Sequence, residues 1–273
     1  MKPECYEQVR TMKDRDCAST YVDLALGMIE DRLCFYNGSH IKLSAEDVLD
    51  CDHGSQGCKG GSVNRVFNWG KRKGFITEEC YQPAEKGVCP ANHLLENECR
   101  KDSEIFKVAE YCLAKGIPGI KHEIMRSGPV LGQLTPFTDF LTYSEGTYRR
   151  TADAFKYNGN HLVKIIGWET NIDGSSAWII ENNWGPTWGE DGFAKVLSNG
   201  ETPLDFFGLS VKTFPQSIKK HQAELERRRD MEAAGETISS QQTYTMNDDE
   251  EIVDIDYEYD STRGIDEPVD DEL

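Results

Sequence analysis

The sequence predicts an α+β protein, helical in its first half and strand-rich in its second. Two patterns and one boundary lead there. Between Thr20 and Leu33, apolar residues recur at Tyr21, Leu24, Ala25, Met28, Ile29 and Leu33, the spacing of a buried helix face. Val163–Trp168 and Ala177–Glu181 are instead β-rich runs, divided by the turn-like stretch 171–176. The change of texture falls near Pro118, and all nine cysteines lie before residue 113.

Each element has its own local signal. Ser44 precedes Ala45-Glu46-Asp47 and predicts a capped short helix. Ser62 to Arg72 predicts a third helix, stopped by Gly74. Residues 214–234 are charged, with Lys219-Lys220 and Arg227-Arg228-Arg229, and predict a solvated or partner-binding helix. Residues 235–273 are poor in large apolar side chains and are expected to be disordered.

Composition narrows the function. A chain of 273 residues, 38% hydrophobic, is long enough to bury a sizeable core in one large domain or two small ones. Of the formal charge of −18, residues 246–273 carry −12 (thirteen Asp and Glu against one Arg), which leaves −6 for the rest. Such a balance gives no electrostatic case for nucleic acid or anionic membranes. No apolar run reaches the length of a membrane span. The closely spaced cysteine pairs of a zinc site are absent, so neither a metal nor a cofactor is expected.

Three segments carry the chemistry. The first is Cys17-Ala18-Ser19-Thr20-Tyr21, the second Gly57-Cys58-Lys59-Gly60-Gly61. The third is Asn160-His161-Leu162-Val163-Lys164-Ile165-Ile166-Gly167-Trp168 with Glu181-Asn182-Asn183-Trp184-Gly185 downstream. Together they resemble the papain family of cysteine proteases, its cathepsin B branch most closely. The family's Cys-Gly-Ser-Cys-Trp pattern, aligned on Cys17, puts Thr20 where the attacking cysteine belongs. Cys5, twelve residues before Cys17, and Cys34, seventeen after it, support that register. The resemblance runs from about Cys5 to about Lys212.

It implies two lobes, a helical one over residues 1–115 and a β-rich, barrel-like one over 116–213, with a cleft between them. It also implies disulfides Cys5–Cys34 and Cys17–Cys58. Cys51, Cys80, Cys89 and Cys99 are expected to form two more in a pairing left open, with Cys112 over. Bridges of this kind belong to an oxidising compartment: the endoplasmic reticulum, a lysosome or vacuole, or the exterior. Asn37-Gly38-Ser39, a candidate glycosylation triplet, and the terminal Asp270-Asp271-Glu272-Leu273, close to a retrieval signal, point the same way. Residues 1–5 show no signal segment, and the expectation is that the sequence begins inside a longer precursor; the alternative is a reducing compartment with the cysteines unpaired.

By the same resemblance, His161 matches the catalytic histidine, Asn182 its orienting partner, and Trp184 the aromatic that shields their bond. Gly60 and Gly61 match the pair that exposes backbone groups to a substrate strand. Thr20 lacks a thiolate, and an internal threonine lacks the amine base that such nucleophiles use. Asp14 stands where the family has an oxyanion-donating Gln, and a carboxylate there repels the developing charge. Tyr21 replaces a Trp. The region of the paired histidines, about 82–99, holds only His93.

The expectation is a catalytically silent papain-like protein that binds a peptide or protein in its cleft, the acidic tail serving as a separate partner surface. The alternative is an active hydrolase using Thr20 or Ser19 with His161. A third reading gives the work to the tail alone.

Overall fold

The structure, a computed structural model, describes residues 5, 17–38, 40–81, 83, 87–90, 104–157, 159–200 and 202–217. The expected charged helix beyond residue 217, the acidic tail, Asp14 and His93 lie outside the described residues.

Helix α1 (Thr20–Asn37) is the axis of the first core. Its apolar stripe is buried, with Val22, Ala25, Met28 and Ile29 at 0% exposure. It ends at Gly38, whose left-handed conformation (φ 78°) lets its N–H bond to Cys34 O. Helix α2 (Ala45–Cys51) starts as predicted, with Ser44 Oγ accepting from Asp47 N–H at 3.1 Å. Helix α3 (Val63–Arg72) follows Ser62 and packs Val66, Phe67 and Trp69 inward.

Strands β1 (Glu104–Lys115), β2 (Val130–Leu134), β3 (Thr147–Tyr148), β4 (His161–Thr170), β5 (Ser176–Glu181), β6 (Phe193–Ser198) and β7 (Phe207–Ser217) form one sheet. Its order is β1-β7-β2-β4-β5-β6-β3. All pairings are antiparallel except β3 with β6. This mixed architecture, helices against a seven-stranded sheet, is the α+β fold that the sequence predicts.

Two details differ from the sequence reading. The strands begin at Glu104, before Pro118, and Gly116–Ser127 is a helix, α4. Pro118 misleads because it sits in that helix's first turn, where no N–H is needed. The charged segment expected to be helical from residue 214 begins instead as the end of β7, paired with β1 through Ser217–Glu104.

The buried side chains form two cores. One unites α1, α2 and α3 with Ile105, Phe106 and Val108 of β1. The other lies between α4 and the sheet, around Trp178, Val163, Ile165 and Phe140. β1 thus belongs to the sheet by hydrogen bonding and to the helical core by packing.

Disulfides staple the first half. Cys5–Cys34 and Cys17–Cys58 are formed, and Cys51 pairs with Cys89, one of the two bridges left open. Cys80 is also disulfide-bonded, and Cys99 lies outside the described residues. Cys112 is free and exposed. Bridges on this scale fit an oxidising compartment.

Candidate active site

Thr20 is the first residue of α1, held there by the Cys17–Cys58 bridge and by Ala18 N–H bonding to Cys58 O at 2.9 Å. The same bridge fixes the Gly60–Gly61 segment beside the helix start. The neighbouring hydroxyl is turned away: Ser19 is 1% exposed, and its Oγ donates to the Asp23 carboxylate at 2.6 Å.

His161 opens β4 and Asn182 directly follows β5, so the β4–β5 pairing sets their separation. His161 Nε2 lies 2.7 Å from Asn182 Oδ1. That Asn182 atom must be oxygen, because it also accepts the backbone N–H of Asn183 at 2.9 Å. Nε2 is therefore the protonated nitrogen of the neutral ring, and Nδ1 keeps the lone pair. Burial lowers the His161 pKa, and the Asn182 bond opposes that shift.

Trp184 lies against the ring of His161, with centroids 4.6 Å apart. It is itself wedged against Trp188 and Phe140 at 5.2 and 5.8 Å. Trp188 is anchored through Nε1 to Phe140 O. Gly189 turns the chain below it with φ 61°, where a Cβ would meet Phe193 O at 2.4 Å.

The Thr20 hydroxyl is engaged from the far end of β5 by a residue to which the sequence reading gave no role. Asn183 Nδ2 donates to Thr20 Oγ1 at 2.9 Å. Reversing the Asn183 amide would exchange donor and acceptor but keep the bond. Among the described residues His161 Nδ1 makes no hydrogen bond, to Thr20 or to any other group. Asn182 Nδ2 and Asn183 Oδ1 are buried without partners.

On the opposite wall, Gly61 lies against the Tyr21 ring, where a Cβ would approach Cε2 to 2.4 Å. Tyr21 donates to Gly57 O at 3.2 Å, and burial pushes its phenol up to about 12. The Gly60 carbonyl is taken by Gln56 N–H. The N–H and C=O of Gly61 carry no hydrogen bond among the described residues.

Beneath the site lies a second feature missed from sequence. Lys164, on β4, is 1% exposed and pairs with Asp31 of α1 and Glu181 of β5 at 2.5 and 2.7 Å. Its signal was a lysine between Val163 and Ile165 in an otherwise apolar strand. Among the described residues there is no cluster of side chains suited to a metal.

The papain family cysteine protease profile matches residues 2–206, and the chain belongs to that family. Its relatives include cathepsin B-like proteins. It is 30% identical over 203 residues to cathepsin B-like CP3 of Giardia intestinalis, covering 71% of this chain and 66% of that one. To the gut-specific cysteine proteinase of Caenorhabditis elegans it is 33% identical over 218 residues, covering 71% and 65%. The chain thus spans slightly under two thirds of the length of these relatives. In fold it is similar to procathepsin B S9 of Trypanosoma congolense, with a TM-score of 0.64 at 21% identity, covering 78% and 74%.

Proposed function

We propose that this chain is a catalytically silent papain-family protein that holds an extended peptide or protein segment in its cleft. The observation that carries the reading is the Thr20–Asn183 bond at 2.9 Å. A nucleophile needs its proton within reach of the base. Here the hydroxyl at the attacking position is bound to a carboxamide, and the base nitrogen of His161 is left without it. A secondary alcohol so placed has neither a depressed pKa nor an adjacent base. Losing the nucleophile of a catalytic set costs roughly 10⁶ in rate. Asp14, at the oxyanion-donor position, lowers the expectation further.

Binding is supported by the other wall. Gly61 has an N–H and a C=O without a hydrogen bond among the described residues, and strand addition draws its affinity from such groups. His161, Asn182 and Trp184 then act as a rigid aromatic and polar wall. The test is affinity selection from a broad peptide pool, with the recovered peptides read by mass spectrometry. Intact peptides enriched by the protein support the proposal. Recovered cut ends, or no enrichment at all, contradict it.

The second reading, a slow hydrolase, has one observation in its favour: the His161–Asn182 pair is formed, at 2.7 Å under Trp184. In that case Thr20 must leave Asn183 and turn to Nδ1. Ser19 is a poor candidate for the role, being buried against Asp23. The acidic tail remains a proposed surface for a separate protein partner.

A further inference from the structure

The Asp31–Lys164–Glu181 cluster sets two carboxylates against one ammonium in a site closed to water. Lys164 and Glu181 are each 1% exposed, and Asp31 is 8% exposed. With both acids ionised the cluster holds one net negative charge in low dielectric, where uncompensated charge is costly. Asp31 Oδ2 takes Nζ at 2.5 Å and Glu181 Oε2 meets it at 2.7 Å, while Glu181 Oε1 is buried with no partner. Among the described residues no other cation relieves the charge. Arg32, next to Asp31, spends its guanidinium on Glu123 and on the carbonyls of Pro129, Gly128 and Val211. Lys42 pairs with Glu30 at 3.6 Å, and Glu30 itself adds a further negative charge facing Asp31.

We propose that Asp31 holds a proton beside the Lys164–Glu181 pair, making a pH-sensitive latch that ties α1 to β4 and β5. With the proton bound, the cluster is neutral and the helix bearing Thr20 is held against the strands that lead to His161 and Asn182. Releasing the proton leaves a buried carboxylate without a counter-charge and loosens that seam. The proposal does not depend on the peptide-binding reading.

The influences on Asp31 are opposed, and those that raise its pKa prevail. Burial comes first in raising its pKa; Lys164 opposes this, and Glu181 and Glu30 add to it, for a value of about 7. Lys164 is held charged, its two carboxylate partners outweighing its desolvation. A carboxyl raised in the folded state stabilises the fold below its unfolded pKa, and that contribution is lost as pH rises through the folded value.

The test is thermal unfolding of the full chain from about pH 5 to pH 8. The wild type is expected to lose about 5–10 °C in Tm across that window. In Glu181→Gln the cluster is neutral without the proton, so most of this fall should vanish. Parallel profiles for the two proteins would overturn the latch. If Glu181→Gln does not fold, infrared difference spectra of the wild type decide: a protonated buried carboxyl at pH 6 that disappears at pH 8 is expected. No such band at pH 6 would sink the proposal.

Discussion

Asn182 Oδ1 lies 2.7 Å from His161 Nε2 and fixes which ring nitrogen keeps its lone pair. Because the same oxygen also takes the Asn183 N–H, neither the amide nor the tautomer is free to reverse. The neutral ring presents a lone pair at Nδ1, the arrangement a general base requires. The mismatch is on the other wall, where Thr20 bonds to Asn183.

Burial lowers the His161 pKa and the bond to Asn182 works against it. Two-dimensional NMR of the ring nitrogens should show His161 titrating below the ordinary histidine value near 6.5. Asn182→Ala should push it lower still, by removing the bond that favours the charged form. Since the folded pKa is depressed, the neutral ring contributes stability above the unfolded value and loses it as pH falls. A titration at or above the ordinary value would refute the placement.

Arg32 bridges α1 to the far side of the sheet. Its guanidinium donates to Pro129 O at 2.7 Å and Val211 O at 2.8 Å, and pairs with Glu123 at 3.1 Å. Arg32→Met strands a carboxylate and several carbonyls, at a cost of about 3–5 kcal/mol. Burial raises the Glu123 pKa, but Arg32 and Ser210 outweigh it and the net shift is down. The Glu123 contribution is thus present above the unfolded carboxylate pKa and fades in acid. Denaturant unfolding at neutral and acid pH checks both: the Arg32→Met deficit should narrow as Glu123 protonates.

Gly61 and Tyr21 form a size-matched pair. Gly61→Val drives a side chain into the ring, which sits 2.4 Å from the Cβ position. Overpacking of this kind costs about 1–3 kcal/mol, and it should also abolish peptide capture by displacing the N–H and C=O at that position. Tyr21→Ala in the same chain should recover stability. Failure of the second change to recover any would place the defect elsewhere.

Much of the fold was legible because its signals are local. Ser44 caps α2, Gly74 ends α3 with φ 77°, and the β-rich runs became β4 and β5. The early strand β1 was not, since Glu104–Lys115 owes its conformation to pairing with β7, about a hundred residues away. The site divides the same way. Thr20, His161 and Asn182 were singled out by motif, whereas the Asn183 bond to Thr20 joins positions 163 apart in sequence. Lys164 and Glu181 could be seen as charges in apolar strands, but their partner Asp31 is supplied by a helix from the opposite core.

The most direct measurement compares cleavage of a peptide pool by the wild type, Thr20→Cys and Thr20→Cys/His161→Ala. The account predicts silence from the wild type, measurable cleavage by Thr20→Cys, and its loss when His161 is also removed. Cleavage by the wild type that vanishes in His161→Ala would contradict it and make Thr20 a working nucleophile.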